Sequence, residues 1–185
     1  ISPLFNVEKV SCKWSSGWQT IHLEVKHNLK IITTTILSEE EKTQFFDLWN
    51  REYPEKLCYN SLADFDEYLE KLANQHHFLL INNENKILGW ALTFDRENER
   101  WFAIILADEI QRQGFGRKML NHLKEQESVL NGWVIDQDTN QKKNGKLYRS
   151  PLKFYEKCDF EILASQRIEL PKISAVKIKW TKPKS

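Results

Sequence analysis

Nowhere in the chain does an apolar run approach the ~18 residues that a membrane-spanning helix needs, and Ile1 to Val10 lacks the basic-then-apolar layout of a secretory signal. The expectation from both is a cytoplasmic protein with no membrane partner. An excess of one charge is missing too: 27 Lys and Arg stand against 26 Asp and Glu, a net charge of +1. No global field therefore draws the chain onto nucleic acid. Cysteine is scarce. Cys12, Cys58 and Cys158 stand far apart, an odd number without a CxxC pair, which fits reduced thiols rather than a disulfide framework or a zinc site. His76-His77 has no further His or carboxylate at ligand spacing, and His22, His27 and His122 are isolated, so no metal is expected. Internal repeats and low-complexity tracts are absent.

What is present suits one compact domain, since a 41% hydrophobic share over 185 residues can build a sizeable core. Loose alternation on either side of Ser15-Ser16-Gly17 reads as a hairpin over residues 7–27. Ile31 to Ile36 is β-branched throughout and reads as a strand. Ser38 with Glu41 three residues later is a capping box opening a helix that buries Phe45, Leu48 and Trp49, and Pro54 closes it. Leu62, Phe65, Leu69, Leu72 and Ala73 recur at helical spacing. The period then changes, and Phe78–Ile81, Ile87–Phe94 and Trp101–Leu106 read as an antiparallel meander. Met119, Leu120 and Leu123 mark a helix from about Gly116, and Trp133–Ile135 a short strand. Residues 136–149 are polar and long for a loop in a compact domain. Ser150-Pro151 opens a short helix to Cys158, and Phe160–Leu170 and Ile173–Trp180 close as strands. The tryptophans are scattered and read as core or pocket walls. Lys172, Lys177, Lys179, Lys182 and Lys184 read as a solvated face guarding a sheet edge.

The segment Leu106-Ala107-Asp108-Glu109-Ile110-Gln111-Arg112-Gln113-Gly114-Phe115-Gly116-Arg117 carries the chemistry. A strand turns through glycines into a helix, whose unpaired N–H groups and positive dipole end form an anion site. Arg112, Arg117 and Lys118 add cationic side chains.

Gln111 to Gly116 resembles the Gln/Arg-x-x-Gly-x-Gly/Ala signature of the GNAT superfamily of N-acetyltransferases. Phe154-Tyr155-Glu156-Lys157-Cys158-Asp159-Phe160-Glu161 is similar to that superfamily's Phe-Tyr-Glu-Lys-x-Gly-Phe-Glu segment, and the element order agrees. The resemblance covers roughly residues 31–181. It implies an α+β GNAT fold, a mostly antiparallel central sheet flanked by helices, with residues 1–30 as an N-terminal extension and 31–185 as the acetyltransferase domain. It also implies acetyl-CoA as cofactor. The backbone of Leu106, Ala107 and Asp108 would meet the pantetheine arm, Gln111 and Arg112 would belong to the binding turn, and the amides of Gln113, Gly114, Phe115, Gly116 and Arg117 would hold the pyrophosphate. Tyr155 aligns with a tyrosine that contacts the cofactor and can protonate the departing thiolate. On reference values, a phenol near ~10 and a thiol near ~8.5, that transfer is feasible.

Three positions depart from the pattern. Tyr148 stands where many relatives carry Asn, which leaves Asn140 and Asn144 as substitutes. Asp159 replaces a Gly at a left-handed helix end. The 136–149 stretch is long, and its role, as a cover for the cofactor or a wall of the acceptor pocket, stays open.

The implied reaction is direct acetyl transfer to an amine, with a backbone N–H near Leu106 or Ala107 polarising the thioester carbonyl. An alkylamine of pKa ~10.4 is only about one part in a thousand neutral near pH 7.4, so a base is wanted, and Asp108 and Glu109 at the strand end are the candidates. The alternative reading is a non-catalytic acyl-CoA-binding or interaction protein on the same scaffold. The fold also allows a homodimer through terminal strands.

Overall fold

The computed structural model describes residues 7–14, 17–24 and 28–183. Strands β1 (Val7–Trp14) and β2 (Gly17–Glu24) pair antiparallel as a two-stranded sheet, as the alternation predicts; the turn residues Ser15 and Ser16 and the side chain of Cys12 lie outside the described residues. The remaining strands form one seven-stranded sheet in the order β3-β4-β5-β6-β7-β9-β8, and only β6 and β7 run parallel.

Helix α1 (Glu39–Glu52) begins where the sequence says. Ser38 Oγ accepts from Glu41 N at 3.2 Å while Glu41 Oε2 accepts from Ser38 N at 2.8 Å, and three glutamates in the first turn suit the dipole. Tyr53, ahead of Pro54, is forced extended and ends it. A second reciprocal box, Ser61 with Asp64, opens α2 (Leu62–Glu70). The expected continuation through Ala73 fails, because the amide of Gln75 takes the carbonyls of Leu69 and Leu72 and so seals the helix end. Ala73 instead starts β4 (Ala73–Ile81), which also takes in His76 and His77.

The meander is β4, β5 (Ile87–Arg96) and β6 (Glu99–Leu106). Glu97 and Asn98, both at positive φ, make the tight β5–β6 turn. Consecutive residues of β5 face opposite layers. Trp90 stacks on Phe45 of α1 at 4.6 Å, whereas a side chain at Gly89 would meet Met119 of α3 (Phe115–Gln126) at 3.1 Å. Helices thus cover both faces, and β5 is buried along nearly its whole length. His77 lies inside this core, accepting from Trp90 Nε1 at 3.2 Å, and burial holds its pKa down to about 4.

β3 (Lys30–Thr34) stops before Ile36 because Thr34 Oγ1 folds onto the Ile36 backbone. β7 (Val129–Val134) is longer than the three residues expected. α4 (Leu152–Glu156) is shorter; Pro151 is its cap residue, and Ser150 Oγ accepts from Leu152 N. Asp159 takes φ 62°, the left-handed position the motif needs. β8 (Glu161–Leu170) and β9 (Ile173–Thr181) complete the sheet. No described helix is long and apolar enough to cross a membrane.

Candidate functional site

The two parallel strands make a single register pair, Trp101 with Asn131, and none beyond it. Ala107 N donates to Leu88 O at 2.8 Å. Alternation along the unbroken β5–β6 ladder therefore turns the N–H and C=O groups of Ile104 and Leu106 away from β5 and toward the opening beside β7. Arg100 O, on the same side, is taken by Asn131 Nδ2 at 3.1 Å, and Leu106 O by Gln111 Nε2 at 2.8 Å. The Ala107 N–H is thus committed to β5, and Leu106 and Ile104 supply the open donors of this slot.

Beyond Leu106 the chain makes one 3-10 turn, Asp108–Ile110, and enters α3. Two glutamines brace the turn: Gln111 as above, and Gln113 Nε2 on Glu109 O at 2.7 Å. Gly114 caps α3 at φ 87°, with open space where a Cβ would stand. Gly116 sits close to its neighbours, since a Cβ there would lie 3.3 Å from the Leu106 side chain and 3.4 Å from that of Phe154 of α4. This contact joins the two sequence motifs. Phe115 packs against the core, Arg117 reaches the Lys157 carbonyl at the end of α4 (3.2 Å), and Arg112 and Lys118 stand exposed beside the helix start.

At the end of β6 the structure brings together charges that the sequence does not connect. Lys142 from the 136–149 loop meets Glu52 at the end of α1, both buried, and the other oxygen of Glu52 accepts from Asp108 N at 3.1 Å. Asp108 pairs with Lys146 at 2.9 Å, a hydrogen bond that holds its carboxyl below the usual range. Glu109 turns outward to Lys86 at 3.2 Å. Of the substitutes for the missing Asn, Asn140 accepts the Tyr148 N–H through its carbonyl and Asn144 caps the loop's own turn at Lys146 N.

Tyr155 is 7% exposed and packed edge-on by Phe102, Phe154 and Phe160. Burial raises its pKa above the usual phenol value. No described group hydrogen-bonds its hydroxyl, and the residue lines a groove of about 220 Å³ lying in the divergence of β6 and β7. Phe102, Ala103 and Ile104 form one wall and Trp133, Val134 and Ile135 another. The third is aromatic: Tyr53 stacks on Trp49 at 4.4 Å and lies 6.3 Å from Tyr148, while Tyr59 and Tyr68 close on Trp49 at 5.4 and 5.7 Å. Phe94, Trp101 and Arg96 complete the far end. Sequence reasoning missed Glu52, Lys142, Arg96 and the tyrosine wall; the Tyr53/Tyr59 pair flanking Pro54 was the one visible signal.

Among the described residues no group of His, Cys, Asp and Glu can hold a metal, and Cys58 and Cys158 are free. Residues 74–162 match the family described as the acetyltransferase (GNAT) domain, and the chain has the GNAT fold. An aminoglycoside 6'-N-acetyltransferase complexed with coenzyme A superposes with a TM-score of 0.63 at 13% identity, over 84% of this chain and 99% of that one. The ribosomal-protein-S18-alanine N-acetyltransferase from Escherichia coli gives 0.57 at 18%, over 83% and 93%. A spermidine/spermine N-acetyltransferase from Vibrio cholerae gives 0.54 at 16%, over 83% and 92%. The sequence matches no curated protein.

Proposed function

From a GNAT fold that carries a GNAT domain sequence over residues 74–162, we propose an acetyl-CoA-dependent N-acetyltransferase acting on an amine held in the aromatic groove. The observation that carries this is the single-pair junction of β6 and β7, which leaves the Leu106 N–H open beside the glycine turn into α3.

The residues present fit such a cofactor. The slot offers main-chain donors to an amide-bearing arm, Gly114 leaves room for close approach at the helix start, and Arg112 and Lys118 stand ready for a diphosphate. When bound, acetyl-CoA supplies the thioester whose carbonyl is the electrophile. The N–H of Leu106, or of Ile104 one pleat earlier, is the preorganised donor for negative charge on that carbonyl oxygen. Tyr155 keeps its proton across the physiological range because burial raises its pKa. Outright transfer to a thiolate near ~8.5 is uphill from there, so we assign Tyr155 a hydrogen bond to the leaving sulfur rather than full protonation. No carboxylate or imidazole lines the groove among the described residues, Asp108 is held ionised and weakly basic by Lys146, and Glu109 points away. The acceptor's proton therefore passes to water, and the rate follows the acceptor's own ionisation.

The test is thermal unfolding with and without acetyl-CoA, followed by thiol release with amines. Saturation at about 100 times Kd stabilises by ~2.7 kcal/mol. A shift with no thiol release from any amine would support the non-catalytic reading, and no shift at millimolar acetyl-CoA would sink the cofactor assignment.

A further inference from the structure

Most charged side chains near the β5–β6 turn are paired; Glu97, at the turn on the open hollow, and Arg96 have no ion pair among the described residues, and of these two only Arg96 also lines the aromatic groove. Asp95 holds Arg100 at 3.0 Å, Arg100 holds Glu127 at 2.7 Å, and Glu99 holds Lys177 at 2.6 Å. Arg96 has no carboxylate within ion-pair distance among the described residues. Its guanidinium lies 5.2 Å from the Phe94 ring centre and 5.7 Å from that of Trp101, and its charge reaches the Tyr68 phenol, opposing the rise that burial causes there. Two rings take its face, which leaves the N–H edge for a partner. Arg96 borders both the aromatic groove and an open hollow at the hairpin tip, so that edge can be met from within the groove.

Tyr155 and Arg96 occupy different stretches of one groove, linked by Tyr53, Trp49 and Tyr68. Between Trp101, beneath Arg96, and Ile104, beside the open donors, β6 rises three residues, roughly 10 Å. The lining between them is aromatic and aliphatic and includes no carboxylate. A polycation would meet a bare positive charge with nothing to neutralise it, while a flat apolar body would fill the space.

We propose that the acceptor is an amine on an aromatic or apolar body that carries a carboxylate, with Arg96 as the specificity residue that binds the carboxylate by paired N–H donors. This rests on the transferase reading for the amine's end of the groove, though Arg96 binding can be tested without it.

Three probes decide it: 4-(2-aminoethyl)benzoate, phenethylamine and spermidine. Thiol release should give a kcat/KM about tenfold or more higher for the benzoate than for phenethylamine, as a charge-assisted bond implies, with spermidine lowest. In Arg96→Gln the ratio of the first two should collapse toward one, and Arg96→Lys should fall between. Trp49, Trp101 and Trp133 line the groove, so tryptophan emission reports binding without acetyl-CoA, and the benzoate's Kd should rise about tenfold in Arg96→Gln. Preference for spermidine, or a ratio indifferent to Arg96, would overturn the proposal even in a working enzyme. Carboxylate- and Arg96-dependent quenching with no thiol release would uphold Arg96 as the carboxylate-binding residue and sink the transferase reading instead.

Discussion

Lys142 Nζ lies 2.6 Å from Glu52 Oε2, across 90 residues of sequence, and both side chains are shielded from solvent. The pair pins the 136–149 loop to the end of α1, next to backbone bonds between Glu55 N and Gln141 O and a bridge of Pro54 with Lys142. The long polar loop is thereby a wall of the site, with Tyr148 stacked against Tyr53.

Lys142→Met leaves buried Glu52 with Arg51 at 3.0 Å as its remaining cation and should cost ~1.5–3 kcal/mol, whereas Glu52→Gln combined with Lys142→Met should recover part of that. Urea unfolding of the parent and the two variants checks it. A single mutant within ~0.5 kcal/mol of the parent would show the pair to be dispensable.

Gly114→Ala should cost ~1–2 kcal/mol from the left-handed backbone alone, because its Cβ meets no neighbour. Gly116→Ala, without that conformational demand and facing side chains that can yield, should cost less. Gly114→Val should also abolish the thermal shift given by acetyl-CoA. A full shift in that variant would move the anion site away from the α3 start.

Tyr155→Phe retains the ring contacts to Phe102 and Phe160 and removes a hydroxyl with no described partner, so stability should hold within ~0.5 kcal/mol. Turnover should fall on the order of 100-fold, as for loss of one preorganised hydrogen-bond donor to developing charge, with little change in acetyl-CoA affinity. Equal kcat in parent and variant would take Tyr155 out of the reaction.

His77 is held near pKa 4 in the fold against 6.5 for the free side chain. A depressed folded value means the unfolded chain binds the extra proton, so stability is full above pH 6.5 and falls as pH drops toward 4. The loss attributable to His77 by pH 5 is ~2 kcal/mol. His77→Gln, which keeps an acceptor for Trp90, should flatten that part of the profile in guanidinium melts. An unchanged slope would assign the acid sensitivity to other groups.

Local signals were legible in the sequence and convergent ones were not. Ser38 with Glu41 announces α1 because both halves of the cap lie within one turn, and Gly114 announces the turn into α3 for the same reason. The end of α2 misleads because Leu72 and Ala73 continue the helical period, while the deciding bond comes from the amide of Gln75 folding back. Glu52 reads as an ordinary solvated residue at a helix end until Lys142 arrives from a distant loop. The aromatic groove is assembled from β5, β6, β7, α1, α2 and the loop before α4, none of which shows it alone. The glycine turn proposed to hold the cofactor was therefore visible, and the groove proposed for the acceptor was not.

The slot beside β6 is built from main-chain N–H and C=O groups, which every residue except proline supplies identically. Drift along this strand can replace side chains freely so long as the pleat and the divergence from β7 persist. Identities of 13% and 18% with proteins that share the fold show how far side chains can differ on one backbone path. Side-chain identity is then least informative in the strand proposed to hold the cofactor, and differences in chemistry collect in the side chains of the groove across from it.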